Sequence, residues 1–465
     1  MLRPELSILA GTPAPAPAFL IEVAGDPATH AAYRRLRHDE FVERQQLFSP
    51  TDHDDVDDDA RCVVLVARAA DGTVLGGVRV APMTPTDIGW WAGSRLVVAE
   101  VAHAAGIGRA LVQAACAHIE SAGVLRFDAV IQDRYRGLFT GLGWRDRGAA
   151  QSIRDRAHRS MSWPLHQIQR TADSTKAMLA DILAPLAGQS NGLGPTGFRG
   201  DDGAPVPDSD LIAACDAIIP SMVERDPEWA GWCSVLVNLN DLAAMGAAPV
   251  ALLDSIGAPT TAQLSRIVSG IAAASQAWGV PVIGGHTQVG VPAALSVTAL
   301  GRTDHPVAAG GGHVGDVVSL IADTGGSWRP GYHGRQWDST SARSGAELKA
   351  MGSTVARLRP AAAKDVSMAG VVGTLGMLAE ASGTGAELEV AAIPRPQSAD
   401  MGSWLTCFPG FAMLVADERP VDEVPEPMVA APCGVLCAAP GVRLRWPDGE
   451  VTTAVASTVT GLGRA

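Results

Sequence analysis

The sequence predicts an α/β protein, with α+β character in its first third, that is built from more than one domain. A chain of 465 residues exceeds what a single hydrophobic core normally holds, so two or three domains are expected. Patterns typical of strands and helices alternate along most of the chain; Arg61–Arg68 and Val74–Ala81, for example, predict a hairpin that turns at Asp71-Gly72. With 47% hydrophobic and 18% charged residues, the chain has enough apolar material to bury sizeable cores.

Charge and composition exclude several classes of function. A net charge of -13 argues against a nucleic-acid partner held by bulk electrostatics. No apolar run approaches the roughly 20 residues that span a membrane, and the proline-rich start is not typical of a signal peptide. The seven cysteines form no recognisable metal-binding pattern. We therefore expect a cytoplasmic protein that acts on small molecules and binds neither nucleic acid nor membrane.

Shifts in composition predict the domain boundaries. A short Pro/Ala-rich tether precedes Phe19, and a helical pattern separates two stretches in which strands and helices alternate. The predicted order is a flexible start at 1–18, a first domain at 19–164, a linker helix at 165–190, and two α/β regions at 191–303 and 304–465.

The sharpest feature of the first domain is a glycine-containing loop between a strand and a helix. It runs from His103 to Arg109. Glycines at 106 and 108 let the backbone approach a ligand closely, and the free N–H groups at the start of the following helix favour a pyrophosphate. Gly106, Gly108 and Arg109 are therefore the predicted cofactor-binding residues, although a tight strand–helix turn would look the same.

This loop resembles the acyl-CoA motif of the GNAT N-acetyltransferases. The segment Leu138–Trp144 and the opening helix around Arg35–Gln45 are similar to the same family, so the resemblance covers residues 19–164. It implies acetyl-CoA as cofactor and an amine as acceptor. Two positions depart from the pattern: His103 stands where Arg or Gln usually begins the motif, and Thr140 where a Tyr often protonates the leaving thiolate. An acyl-CoA-binding module without activity therefore remains open.

The acidic residues of the first domain have two interpretations. Glu40, Glu43 and Glu100 are candidates for the base that deprotonates an amine, while surface carboxylates are the default for each. The acidic run Asp52–Asp59 could attract a cationic substrate, but we expect a solvated loop there.

Aspartates carry the chemistry that is predicted for the rest of the chain. Phosphoryl transfer from ATP needs carboxylates that hold Mg²⁺, which neutralises phosphate oxygens. Gly200–Ala204 places two carboxylates at the mouth of a Gly-rich loop, Asp216 closes an apolar strand, and Asp241 stands at the head of a small-residue helix. Taken singly, each could be a helix cap or a turn residue.

Their collinear order resembles the superfamily of aminoimidazole-ribonucleotide (AIR) synthetase, thiamine-monophosphate kinase, selenophosphate synthetase and the hydrogenase-maturation dehydratase. The resemblance covers residues 190–450. It is carried by Gly200–Ala204, Asp216, Asn238–Pro249, Gly284–Thr287 and Lys364–Gly370. It implies two α/β halves, ATP as cofactor, and a homodimer.

The resemblance also implies roles for individual residues. Mg²⁺ and phosphate would be held by Asp202, Asp216 and Asp241, with Asp201 as a further ligand. Gly200, Asn238 and Gly285 would line the ATP site. The catalytic candidates are His286, Asp365 and Ser367, the last two on a substrate-side helix. The insertion Trp328–Trp337 either shapes the substrate site or is a surface lid.

The sequence therefore predicts a bifunctional enzyme. One domain would acylate an amine, and the other would use ATP and Mg²⁺ to phosphorylate an amide or carbonyl oxygen of a small metabolite. Two alternatives remain: a small-molecule kinase resembling thiamine-monophosphate kinase with a vestigial GNAT module, and a non-catalytic sensor of acyl-CoA or nucleotide.

Overall fold

The computed structural model describes residues 19–100 and 106–465. The chain divides into two compact units, which we call unit 1 (Met1–Leu165) and unit 2 (His166–Ala465). Within the described residues, no helix combines the length and apolar character that a membrane crossing needs.

Unit 1 is built on one seven-stranded sheet with the order β1-β2-β3-β4-β5-β7-β6. Its strands are β1 Leu20–Val23, β2 Val63–Arg68, β3 Val74–Pro82, β4 Trp90–Val98, β5 Arg126–Gln132, β6 Arg145–Ile153 and β7 Arg156–Trp163. Its α-helices are α1 Pro27–Arg37, which continues as a π-helical turn over His38–Arg44, α2 Ile107–Ser121 and α3 Arg136–Gly141. The predicted hairpin is confirmed, because β2 and β3 pair antiparallel.

Helix α2 shows why the first core forms. Its apolar residues recur at helical spacing, so one face is apolar and packs on the sheet. Ile107, Leu111, Ala115 and Ile119 on that face are all almost completely buried. This packing fixes the position of the N-terminal end of α2, where the predicted cofactor loop lies.

Unit 2 contains two larger sheets. A five-stranded sheet has the order β11-β10-β12-β9-β8, and a seven-stranded sheet the order β16-β18-β13-β19-β17-β20-β21. The strands are β8 Ala204–Pro205, β9 Leu211–Ala217, β10 Ala248–Ala258, β11 Val282–Val289, β12 Ala294–Arg302, β13 Val317–Ala322, β14 Ser327–Trp328, β15 Trp337–Asp338, β16 Ala362–Asp365, β17 Gly385–Glu389, β18 Ala412–Asp417, β19 Val429–Cys437, β20 Val442–Arg445 and β21 Val451–Val455.

The helices of unit 2 differ from the predicted ones at three points. They are α4 Gln167–Thr175, α5 Leu179–Ala187, α6 Pro220–Arg225, α7 Pro227–Ala244, α8 Thr261–Trp278, α9 Gly345–Gly352, α10 Thr354–Leu358, α11 Gly370–Ser382 and α12 Met401–Thr406. The first difference is that two helices of this unit, α4 and α5, stand in place of the single linker helix predicted at 165–190. Asp241 lies in the last turn of α7, not at its head, because the helix already begins at Pro227, behind the capping residue Asp226.

The predicted substrate-side helix does not contain Asp365 or Ser367. Asp365 ends strand β16, where it pairs with Met413 of β18, and Ser367 lies in the connection to α11. The helix begins only at Gly370, whose φ of +73° is outside the helical region. The prediction was wrong because a short strand and a helix meet here within a few residues.

Helices α7 and α8 cross at two glycines. A Cβ atom at Gly231 would collide with the carbonyl oxygen of Ile267, and one at Gly270 with that of Glu228. The two backbones are therefore in direct contact, which sets the position of α7 and of the residues it carries.

Candidate functional site

Three carboxylates from separate elements of unit 2 meet at one point. Asp202 follows the Gly-rich loop, Asp241 lies in the last turn of α7, and Asp365 ends β16. One oxygen of each lies within 4.8 Å of the others. Asp241 and Asp365 are buried, with 5% and 1% of their surface exposed. We call Asp202, Asp241 and Asp365 the carboxylate trio.

Asp202 is held in place by strand β16. Its Oδ2 accepts a hydrogen bond of 2.8 Å from the backbone N–H of Asp365, and its Oδ1 contacts the ammonium group of Lys364. Strand β16 is at the edge of its sheet, so this N–H is free to leave the strand ladder. The fold thus brings together two residues that are 163 positions apart in the sequence.

Asp365 has an unsatisfied carboxylate. Both of its oxygens are buried, and neither has a hydrogen-bond partner among the described residues. Burial, and next the charge of Asp202, raises the pKa of Asp365 well above its ordinary value. Burial and the charge of Asp365 do the same to the pKa of Asp241. Buried polar atoms normally have partners, so the two free oxygens of Asp365 are what a bound cation would contact.

Lys364 was missed by the sequence analysis as a site residue. Its side chain is only 6% exposed, and its Nζ lies 3.8 Å from Asp201 Oδ1, in addition to contacting Asp202. Burial alone would lower the pKa of this lysine, but the two aspartates outweigh it and raise the pKa, so the side chain stays charged. The available signal was a lysine that directly follows the apolar run Ala361–Ala363 and precedes Asp365.

Asp201 has a different environment from Asp202. Its Oδ2 accepts a hydrogen bond of 2.7 Å from the N–H of Ala309, and its Oδ1 accepts one of 2.8 Å from the N–H of Asp202. Burial raises the pKa of Asp201 to about 6. Because both oxygens already bind backbone, Asp201 shapes the loop and does not complete the trio.

Asp216 and Asn238 are adjacent. The side-chain oxygen of Asn238 accepts a hydrogen bond of 3.1 Å from the N–H of Asp216, and its amide donates to the carbonyl oxygen of Ser234. Asn238 is fully buried, so in this structure it joins strand β9 to helix α7. Asp216 is exposed and is not part of the trio, although its charge contributes to raising the pKa of Asp241.

The remaining predicted residues of unit 2 lie on loops and on an edge strand. Gly200 has a φ of +66°. Gly285 and His286 are exposed on β11, and His286 Nε2 lies 3.3 Å from Gln288 Nε2. Ser367 is half-buried in the segment after Asp365. The structure does not bring His286 or Ser367 into the carboxylate trio.

In unit 1 the strands β4 and β5 separate along their length. They pair in parallel only from Trp90 and Arg126 to Gly93 and Ala129. Beyond this point β4 bulges at Arg95, whose φ is +54°, and the pairing ends although both strands continue. The result is a gap in the sheet between the ends of β4 and β5.

The predicted cofactor loop is described from Gly106 onward; His103 lies outside the described residues. Gly106 precedes α2 with a φ of +73°, and Gly108 lies in the first turn. A Cβ atom at Gly108 would be 3.6 Å from a methyl group of Val98 on β4. Arg109 is exposed beside them. The start of α2 therefore lies beside the part of β4 that no longer pairs with β5.

The three candidate bases differ in exposure. The side chains of Glu43 and Glu100 are 70% and 81% exposed, whereas that of Glu40 is 15% exposed and contacts Arg44 and Gln45. Gln45 in turn accepts a hydrogen bond from Gln132, at the end of β5. The hydroxyl of Thr140 donates to the carbonyl oxygen of Arg136 at 3.0 Å.

The acidic run is not a solvated loop. Asp52 and Asp57 bind Arg37 at 2.7 and 2.5 Å, and the side chains of all three are at most 6% exposed. Asp54 binds Arg79 at 2.5 Å and Arg95 at 2.9 Å. The expectation was wrong because the arginines that neutralise the run lie on α1, β3 and β4, far away in sequence. We call these six residues the Arg–Asp network.

Family models match three parts of the chain. The model of the AIR synthase related protein N-terminal domain matches residues 200–303, and that of the C-terminal domain matches residues 346–445. The acetyltransferase (GNAT) family model matches residues 29–143. The matched ranges contain Asp202, Asp241 and Asp365 on one side, and Gly106 and Gly108 on the other.

Individual relatives match up to half of the chain. An uncharacterized protein of Synechocystis sp. is 37% identical over 244 residues, which are 50% of this chain and 75% of that protein. One from Methanocaldococcus jannaschii is 31% identical over 238 residues, 48% of this chain and 72% of that protein. A thiamine-monophosphate kinase of Methanospirillum hungatei is 32% identical over 175 residues, 37% of this chain and 60% of the kinase.

Proposed function

Because the chain belongs to the AIR synthase-related protein family and carries a domain of the GNAT acetyltransferase family, we propose that it is a bifunctional enzyme. Unit 2 would use ATP and Mg²⁺ to phosphorylate an amide or carbonyl oxygen of a small metabolite. Unit 1 would transfer an acyl group from acyl-CoA to an amine. The single observation that carries the first part is the buried, unpartnered carboxylate of Asp365 in the trio.

The trio fits Mg²⁺ by its chemistry. Mg²⁺ takes oxygen ligands and is usually bound by one or two protein carboxylates together with substrate phosphates. Asp241 and Asp365 offer such oxygens, and Asp202 has lone pairs left besides its two contacts. A metal ion held there would neutralise the phosphate oxygens of ATP. The chain itself fixes the ligands, with Asp365 N–H orienting Asp202 and the α7–α8 crossing positioning Asp241.

An assay of ADP release tests this function. We expect Mg²⁺-dependent, substrate-dependent release when the protein is screened against pools of amides and carbonyl metabolites. Asp365→Asn should lower the rate by roughly 100-fold, which is about 2.7 kcal/mol of barrier. Asp304→Asn, which changes an exposed carboxyl group, is the matched control and should keep the rate. ATP binding without substrate-dependent release would instead support the sensor alternative.

The product distinguishes a ligase from a kinase. If a nitrogen nucleophile displaces the phosphate, inorganic phosphate appears in step with ADP. If the phosphorylated metabolite is released, as the similarity to thiamine-monophosphate kinases suggests, ADP appears without phosphate. Phosphate and ADP measured in one reaction therefore decide between the two reactions.

The gap between β4 and β5 supports the acyltransferase of unit 1. The thioester arm of acyl-CoA would take the place of a strand in the gap, with its pyrophosphate at the start of α2. Gly108→Asp should weaken acetyl-CoA binding at least tenfold, because it would add a negative charge where we propose that the pyrophosphate binds. It should still fold, because a Cβ atom there is at ordinary distance from Val98. Gly137→Asp, in open space on α3, is the control.

Glu40 is the base that we propose for this reaction. Its low exposure and its link through Gln45 to Gln132, at the end of β5, support this role. Glu40→Gln should lower kcat without changing acetyl-CoA binding, whereas Glu43→Gln should leave both unchanged. If wild-type protein binds no acetyl-CoA, the acyltransferase proposal is lost.

We further propose a homodimer through the five-stranded sheet. Its edge strand β11 is exposed along its whole length and presents Val282, Ile283 and Val289, which are 36%, 62% and 48% exposed. A long apolar edge normally has a covering partner. Light scattering should give twice the chain mass, and Ile283→Lys should give the monomer.

A further inference from the structure

Lys364 is the unusual member of the site in unit 2. Lysine is almost never buried without a partner, and this one lies in a four-residue strand, Ala362–Asp365, that is buried throughout. Its neighbour in sequence, Asp365, belongs to the carboxylate trio. Side chains of adjacent residues in a strand point to opposite faces, so Lys364 and Asp365 reach the cluster from two sides.

Asp202 lies between these two sides. Its Oδ1 contacts the ammonium of Lys364, while one of its oxygens belongs to the group that comes within 4.8 Å of Asp241 and Asp365. Asp201, 3.8 Å from the same ammonium, completes the surroundings of Lys364. In a site for two cations, Asp202 would contact the cations at both positions, of which Lys364 occupies one.

We propose that Lys364 is a built-in cation that fills one of two cation positions, so that the site takes up one divalent metal ion per chain instead of two. This inference rests on the metal-dependent function proposed above. An ammonium group is a compact point charge with three donors, so it can stand where a metal ion would contact Asp201 and Asp202. Lys364 is thus a positioning residue that holds the bridging Asp202 for the metal ion on the other side.

Titration with Mn²⁺ alone tests the inference. Free Mn²⁺ is measured by electron paramagnetic resonance as the full chain is titrated without nucleotide. Wild type should bind one Mn²⁺ per chain, and Lys364→Met, which keeps the length of the side chain but removes its charge, should bind two, with spin–spin broadening between them. Lys364→Arg retains the charge and should bind one.

Each result has one meaning. Two ions in wild type, or one ion in both wild type and Lys364→Met, would overturn the role of Lys364 while leaving the metal site intact. No ion in wild type, either alone or with a non-hydrolysable ATP analogue present, would remove the proposed metal-dependent function itself. If Lys364→Met does not fold, as judged by circular dichroism, Lys364→Gln takes its place in the titration with the same expected second ion.

Discussion

Each unit of this protein contains a cluster of three aspartates; the cluster in unit 1 has as many cations as carboxylates, and the cluster in unit 2 has fewer. In the Arg–Asp network of unit 1, three aspartates meet three arginines, and every carboxylate has a cationic partner. In the carboxylate trio of unit 2, Lys364 is the cation that contacts the cluster, and Asp365 has no partner among the described residues.

The difference separates a structural cluster from a binding site. A balanced network of buried charges is complete, and a ligand would have to break existing bonds to enter it. An unbalanced cluster carries an electrostatic cost that a cation from solution can relieve. The number of acidic residues does not distinguish the two cases, whereas the presence or absence of a partner for each carboxylate oxygen does.

Removal of one arginine should break the balance of unit 1. Arg37→Met leaves Asp52 and Asp57 buried without their strongest partner, so the free energy of unfolding should fall by about 3–5 kcal/mol. Arg34→Met, on the exposed face of the same helix, should change it by less than about 0.5 kcal/mol. Urea unfolding measures both, and equal effects would show that the network contributes nothing.

In unit 2, the removal of one charged side chain should raise the free energy of unfolding instead of lowering it. Asp241→Asn removes a buried carboxylate whose pKa is raised by burial and by its neighbours, and which therefore disfavours folding at pH 7. Without metal, stability should rise by about 1–3 kcal/mol, since one pKa unit is about 1.4 kcal/mol. Stabilisation by Mn²⁺ should be lost. Melting temperatures measured in chelator and in Mn²⁺ check both expectations, with Asp304→Asn as control. A melting temperature of Asp241→Asn far below that of wild type in chelator would contradict the electrostatic cost assigned to Asp241.

The stability that the Arg–Asp network contributes should be lost only at low pH. Burial alone would raise the pKa of Asp57, but Arg37 and Arg79 outweigh it and hold this pKa well below the ordinary value. A lowered folded-state pKa contributes stability above the unfolded value of about 3.8, and this contribution is lost as the pH falls through the folded value. Hydrogen exchange of peptides covering 52–59, corrected for intrinsic rates, should show protection that declines only below about pH 4. Decline already near pH 6 would contradict the pairing with arginine.

Local pattern sufficed for much of the fold and for part of the site. Alternating apolar residues and a turn dipeptide predict the hairpin β2–β3, and local motifs alone point to Asp202 and Asp241. Asp365 was also singled out, but on the wrong element and in another role. Sequence cannot show that the oxygens of Asp201 bind backbone while those of Asp365 do not.

Long-range pairing explains the other misses. The acidic run looked solvated because its partners Arg79 and Arg95 are more than 20 positions away and lie on different strands. Lys364 was overlooked because a lysine is normally a surface residue, and only the meeting of β16 with the loop at Asp202 buries it.

The backbone contact between Gly231 and Gly270 has a consequence for how this protein tolerates change. Neither glycine touches the trio, yet α7 can keep Asp241 in place only while both positions remain without a side chain. In a saturation mutagenesis screen scored by activity, these two positions should be as intolerant as the aspartates themselves. Such a screen would not distinguish the glycines that position α7 from the aspartates of the carboxylate trio. Metal binding measured on purified variants would distinguish them.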